Sequence, residues 1–387
     1  MTTNTLTGLI PSVYSAIDVV SRELCGMIPA VTVDARASAA ALNQVVAVPI
    51  APTSNSITDN TPAMSVPSEA DQTITNVEVK ITKSKHVPFS WSGEEELGLN
   101  NGGPGAMSIQ QNQIVQAIRT LTNSMESDLT ALRVNASRAA GTVTTTPFAS
   151  TTEGAMNARR ILVDNGAGGD FQIVCDTAAG AKLRTLGGLQ AARDAVNMTE
   201  QGILYRAGDV TIRESAQISQ APTVGTMASA TSTAAAFTVG QTVIPLATAG
   251  TGQVVAGDVI TFANDTNQYV VASATFAGAN PASGDSITLA APGLRVAQGA
   301  ATRNITVIAT GPRNMAFARS AIVLATRAPT RPKQGDLAID VEYITDPRTG
   351  LTFELAVYPG FRKVVYHIGI AWGVKSIKDE HIALLLG

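Results

Sequence analysis

Residues 314–336 read NMAFARSAIVLATRAPTRPKQGD. A short amphipathic segment passes into an apolar run, AIVLAT, and then into a rigid tail that carries arginines and prolines. The stretch has no catalytic spacing. It also lies inside a local charge imbalance. Between Asp285 and Asp336 there is no acidic residue, whereas Arg295, Arg303, Arg313, Arg319, Arg327, Arg331 and Lys333 all fall there. Two readings are open: an ordinary basic surface patch, or a face turned toward phosphate or an acidic partner.

The rest of the chain limits the choice. It has 387 residues, enough for two or three domains and a sizeable core. Apolar residues make up 45%, which excludes wholesale disorder. Charged residues are only 15%, against roughly 25% in ordinary soluble domains. So sparse a charged surface favours a chain largely covered by copies of itself. The net charge of −3 gives no global basic field for nucleic acid. Cys25 and Cys175 stand far apart and suggest no disulfide framework. The N-terminal MTTNTLTGLIPSVY lacks the basic and apolar regions of a signal peptide, and no window approaches a membrane-spanning helix. The chain is expected to be made and used in the cytosol.

Upstream of the opening stretch, Val13, Ile17, Val20 and Leu24 predict a helix over 11–28, stopped by Gly26 and Pro29. LNQVVAVPI (42–50) and TITNVEVKIT (73–82) predict two strands joined by a polar, proline-bearing tip at 51–70. A lone hairpin is marginal in water, so this arm is expected to lie on another subunit. Residues 91–107 are glycine-rich and acidic. Ser108 and Gln111 then form a capping-box pattern. Ile114, Ile118, Leu121, Met125, Leu129, Leu132 and Ala136 recur at helical spacing, predicting one amphipathic helix over 108–140. Residues 151–216 alternate helix and strand patterns: helices at 155–165 and 176–196, strands at 170–176 and 209–215. Residues 219–236 look like a linker. From Phe237 to Gly311 short strands separated by Gly, Pro, Asp and Asn predict a small antiparallel barrel or sandwich inserted into the α/β region. Residues 337–387 are strand-rich. Tyr366, Ile368, Ile370 and Trp372 alternate there with small Gly369 and Ala371.

No motif carries chemistry. The three histidines, His86, His367 and His381, are scattered, and His367 reads as a structural histidine in mid-strand. HExxH, paired CxxC, GxSxG and GxxxxGK[ST] are all absent. Glu94, Glu95 and Glu96 fit a solvated run before a helix better than a cation site. No catalytic, cofactor-binding or metal-ligating residue is assigned, no cofactor is expected, and the chain is not expected to be an enzyme.

The order of parts, with GDVITFAN (257–264), the return phrase containing Asn314, Phe317 and Ala321, and the ending GIAWGVKSIKDEHIALLLG (369–387), resembles a known family. It is that of tailed-bacteriophage major capsid (coat) proteins with the Hong-Kong-97-type fold. The closest resemblance is to short-tailed-phage coat proteins with an inserted β-barrel domain. The resemblance implies an α+β chain with an N-terminal arm (1–40) and an extended loop hairpin (41–90). A peripheral domain (91–150) would hold a spine helix at 107–140. The axial domain would span 151–219, the inserted barrel 220–312, and the axial and peripheral return 313–387. It further implies self-assembly into hexamers and pentamers of an icosahedral shell that encloses double-stranded DNA without sequence-specific binding. Scaffolding protein and portal would be assembly partners, with no membrane. Assembly would occur in the host bacterial cytoplasm, and the product would be the virion. No lysine–asparagine crosslinking pair maps onto the chain. The alternative of similar fold is the shell protein of an encapsulin-type bacterial nanocompartment.

Overall fold

The computed structural model describes residues 26–35, 41, 43–50, 75–101, 106–186, 203–207, 209–219, 222–332, 335–345 and 350–387. Most of the helix expected over 11–28 lies outside the described residues. So do the hairpin tip at 51–70 and the second half of the helix expected over 176–196.

The chain is mixed α and β. Ahead of the long helix come β1 (Thr32–Ala35), β2 (Val45–Ile50), β3 (Thr75–Lys80), β4 (Lys83–Ser92) and helix α1 (Gly93–Asn100). The long helix α2 (Ala106–Ala131) leads to β5 (Arg138–Gly141). Next come α3 (Glu153–Asp164), β6 (Phe171–Cys175), α4 (Thr177–Thr185), β7 (Ile203–Ala207) and β8 (Val210–Glu214). Six short strands follow: β9 (Ala230–Thr231), β10 (Val243–Pro245), β11 (Val259–Phe262), β12 (Gln268–Thr275), β13 (Ser286–Leu289) and β14 (Asn304–Val307). The return is β15 (Arg313–Ala318), β16 (Ile322–Arg327), β17 (Asp340–Thr345), β18 (Thr352–Gly360), β19 (Lys363–Ser376) and β20 (Ile382–Leu386).

The opening stretch carries the chain from one sheet to another. Its first strand, β15, lies in the second sheet between β6 and β20. A 3-10 turn at Arg319–Ala321 redirects it. Its second strand, β16, lies in the first sheet between β1 and β19. Both strands are buried along their whole length. The side chains of β15 divide between two cores: Met315 and Phe317 face the core built on α2, and Ala316 and Ala318 face the core under α3. β20 divides the same way, with Ile382, Leu384 and Leu386 on one side and Ala383 and Leu385 on the other. A strand covered on both faces shows no polar alternation, which is why 315–318 and 321–325 are unbroken apolar runs.

The first sheet is organised on β19. β18 and β4 run antiparallel along its first part, β16 pairs with its last six residues, and β17 extends the sheet beyond β18. Its large residues, Tyr366, Ile368, Ile370 and Trp372, pack with Phe353, Leu355 and Val357 against Ile114, Ile118, Leu121, Met125 and Leu129 of α2. Each such side chain contributes about 1.5–3 kcal/mol on burial. Two indoles lock the helix axially: Trp372 Nε1 donates to Asp128 Oδ2 at 2.8 Å, and Trp91 Nε1 donates to Gln113 Oε1 at 2.7 Å.

The helix is shorter than its apolar spacing predicts. α2 ends at Ala131, a 3-10 turn covers Leu132–Asn135, and Arg138–Gly141 form a strand between β20 and β12. Ala136 is buried, so the helical spacing continues by coincidence after the helix stops. The capping box is also displaced. Ser108 lies inside α2, and the observed box is at the start of α1, where Ser92 Oγ accepts from Glu95 N at 3.3 Å and Glu95 Oε2 accepts from Ser92 N at 2.8 Å. Glu94, Glu95 and Glu96 thus occupy the first turn of a helix, where its dipole favours negative charge.

The second sheet runs β7-β8-β6-β15-β20-β5 and passes through β12 into the six short strands. Those pair in the order β10-β13-β12-β11-β14-β9. The series then returns to its start: Thr233 N donates to Pro245 O at 3.0 Å and Ala247 N to Thr231 O at 2.9 Å, beside a Ser232–Leu246 bridge. The segment expected to be a linker therefore supplies a strand, and Met227 and Ala230 belong to the core of this ring. Composition hid it because, of the described Ala, Ser and Thr here, only Ala230 and Ser232 are buried, too few to print an apolar pattern. β11 and β12 serve two cores. Ile260, Tyr269 and Val271 point into the ring, whereas Val259 and Val270 join the α2 core.

The ring core predicts its own folding unit. A fragment spanning 222–311 should unfold cooperatively, followed by circular dichroism. A fragment starting at 237 lacks β9, Met227 and Ala230, and its midpoint should fall by about 10 °C or more. Equal midpoints would show that β9 adds nothing.

Candidate functional site

The outer face of the first sheet, opposite α2, is where two segments land that belong to neither sheet. Residues 367, 369, 371 and 373 of β19 point to this face. Three of them, Gly369, Ala371 and Gly373, are small. The alternation read in the sequence thus separates a core face from a landing face.

The hairpin β2–β3 lands at one end. Its strands pair only with each other among the described residues, with Val46 opposite Val79 and Val48 opposite Val77. Its base is anchored: Val79 and Ile81 are fully buried in a cluster with Val323, Ala325 and Ala371, and Val46 and Val48 pack beside them. Lys375 Nζ donates to Glu78 O at 3.1 Å. The backbone comes so close at Gly373 that an added Cβ would stand 2.0 Å from the Lys80 carbonyl oxygen. Beyond the base, burial fades. Val77 is half-buried, and Val45, Ala47, Pro49, Asn76 and Glu78 are exposed. Among the described residues no further strand pairs with either edge of this ribbon, and such edges are the usual template for a further chain.

The tail of the opening stretch lands at the other end. Pro329 lies over Gly369, and residues 329–332 with Asp336 stand against residues of β4, β19 and β18. This is why the apolar run ends in a rigid proline segment: it roofs a sheet face. The basic stretch around it shares no common surface. Arg313 and Arg327 are buried, the latter donating to Asp34 O at 2.6 Å and Thr326 O at 2.7 Å. Arg319 pairs with Asp170 at 2.8 Å, and Arg331 stacks on Tyr343. Both sequence readings of these residues as one face are corrected accordingly. The main-chain carbonyls that accept from the buried guanidiniums, Ala309 O for Arg313 and Asp34 O and Thr326 O for Arg327, cannot be read from charge order.

A third feature escaped the sequence altogether. Glu126, on α2, is fully buried, and among the described residues no cation stands beside it. Its carboxyl accepts from Met27 N at 2.9 and 3.0 Å, Ile28 N at 2.8 Å and Ser215 Oγ at 2.7 Å. Gly26 permits the approach, since a Cβ there would lie 2.2 Å from Glu214 O. Burial pushes this carboxyl up to about 7, opposed by the donors that hold it. Glu126 therefore pins the point at which the N-terminal segment meets the body. Its signal in the sequence is a lone glutamate within one turn of the apolar stripe.

Among the described residues no three of His, Cys, Asp and Glu are placed to hold a metal ion, and no helix is long and apolar enough to cross a membrane. Cys175 is buried and free, and burial pushes its thiol up, away from the nucleophilic thiolate. His86 and His367, distant in sequence, are brought into a stack.

No protein-family model matches the chain, and no curated protein matches it. Solved structures do. The Mycobacterium phage Che8 structure is 11% identical, covering 89% of this chain and 84% of that chain, with a TM-score of 0.41. A virus-like particle from Pyrococcus furiosus is 9% identical over 97% of this chain and 98% of that chain, at 0.42. The capsid of Ralstonia phage GP4 is 9% identical over 92% and 85%, at 0.40. At these identities and TM-scores the matches are likenesses of chain path and nothing more.

Proposed function

We propose that this chain is the major capsid protein of a tailed bacteriophage, with the Hong-Kong-97-type fold. It would build an icosahedral shell of hexamers and pentamers around double-stranded DNA. The observation that carries the reading is the β2–β3 ribbon: anchored by its base, it leaves two open strand edges and a fading apolar face beyond the body. Such an element gains little alone and much by lying on a neighbour. Repeated around rings of five and six, individually weak contacts become stable once the shell closes. Exposed large apolar residues support the same reading, with Phe361 92% and Leu337 82% accessible in the isolated chain. In this scheme α2 is the spine helix, the closed ring β9–β14 is the inserted barrel, and scaffolding protein and portal assist assembly. The chain performs no reaction.

Negative-stain electron microscopy of the purified chain tests this. Closed particles are expected, and particles from the native host should protect DNA from nuclease. Particles holding a protein cargo and no DNA would point to a nanocompartment shell instead. A chain that stays monomeric under every assembly condition would end the proposal.

A further inference from the structure

Residues 329–332 and Asp336 line, with residues of β4, β18 and β19, a half-open cavity of about 250 Å³ on the outer face of the first sheet. Gly369 forms its floor. On one side the imidazoles of His86 and His367 stack, centroids 4.5 Å apart and 16° from parallel. The ring of Tyr358 lies against His367 at 4.8 Å, and its hydroxyl donates to Asp336 Oδ2 at 2.6 Å. On the other side is Glu354, only 7% exposed, whose Oε2 has no hydrogen-bond partner. Two cations stand close: Arg331 lines the cavity and its charge acts on Glu354, whereas Lys85 is engaged elsewhere. Arg331 lies over the Tyr343 ring at 5.9 Å, with a long 3.5 Å contact to its hydroxyl. Lys85 reaches the other face of the sheet, where its Nζ meets Ser124 Oγ at 3.2 Å.

A buried carboxylate oxygen without a donor is costly, and native proteins seldom leave one unserved. Aromatic faces beside carboxylates suit a flat or compact cation: the rings attract its charge while the carboxylate takes its N–H. The two carboxyl groups repel an anion. Nor can parallel stacked imidazoles turn their lone pairs onto one metal ion. We propose that this cavity binds a single guanidinium or primary ammonium head, with Glu354 Oε2 accepting its N–H and the His367 and Tyr358 rings flanking it. Burial raises the Glu354 carboxyl and Arg331 opposes this, so an arriving cation would complete a partly balanced site. The head belongs either to a free small cation or to an Arg or Lys of a second copy of the chain.

Calorimetric titration of the unassembled chain with agmatine tests the site. Saturable binding is expected with a Kd on the order of 1 mM. Glu354→Gln should weaken it about tenfold or more, through loss of the charged acceptor. Arg331→Gln, which removes the competing internal cation, should tighten it about threefold. A folding defect cannot mimic that gain. No binding up to about 20 mM, or equal affinity in Glu354→Gln, overturns the proposal. Agmatine that also slows assembly of the native chain identifies a neighbour's side chain as the source. Binding that leaves assembly untouched identifies a free cation.

Discussion

Replacing Glu126 with alanine lowers the stability of the unassembled chain by about 3–5 kcal/mol, because buried N–H groups of Met27 and Ile28 and the Ser215 hydroxyl lose their acceptor. Denaturant unfolding measures the loss. The same carboxyl makes native stability depend on pH. Its value of about 7 when folded exceeds the ordinary glutamate value of 4.5. Between those values the folded chain keeps a proton that the unfolded chain releases. The contribution is therefore complete below about pH 4.5 and lost as pH rises through about 7, a change on the order of 3 kcal/mol. Glu126→Gln, nearly isosteric and uncharged, should remove that slope. Two other carboxyls, Asp258 and Glu354, are also raised by burial and add to the slope of the native chain. The native chain minus Glu126→Gln isolates the one group. If both unfold with the same pH dependence, Glu126 is ionised throughout and serves only as an acceptor.

Gly373→Val should detach the base of the β2–β3 ribbon. The new side chain would meet the Lys80 carbonyl at 2.0 Å and the Ile81 Cα at 3.0 Å, both backbone atoms that cannot swing aside. Expelling the ribbon exposes Val79 and Ile81, a local loss of about 3–6 kcal/mol. Hydrogen exchange should show protection lost across residues 75–81 and kept in α2. Shell formation should fail. Deleting residues 54–68, with the base intact, should also abolish stable shells while leaving protection at 75–81. Gly98→Ala is the control: nothing lies within 4 Å of its added methyl, and the exchange gains up to about 1 kcal/mol of helix propensity. Normal, heat-resistant particles from Gly373→Val would remove the ribbon from any account of assembly.

What the sequence revealed and what it hid divides by physics. Strict alternation marked β3, β18 and β19, because each has one face on a core and one on something smaller. The apolar stripe of α2 was legible, but its end was not: Leu132 and Ala136 keep the spacing while the backbone changes to 3-10 and then to strand. β9 was hidden by a composition of Ala, Ser and Thr that also suits linkers. The outer-face site was invisible. Its two halves, His86 and His367, are joined only by the register of β4 on β19, which sets Pro88 opposite His367 and His86 opposite Gly369. Register is a property of pairing, and neither strand carries it alone. The anchoring role of Glu126 likewise depends on backbone amides from a segment 98–99 residues away.

Strand β5 gives the molecule a rigid handle. It follows the long helix after one short turn and is bonded on one edge to β20 and on the other to β12 of the ring. The two crossings into the ring are tied as well: Gly225 N donates to Asp258 Oδ2 at 3.0 Å, and Thr310 Oγ1 donates to Pro222 O at 2.9 Å. Among the described residues, the β5–β12 pairing is thus the strand link that couples the ring to the body. A push on its rim reaches the end of α2 as torque, so whatever grips the ring also holds a lever on the centre of the molecule.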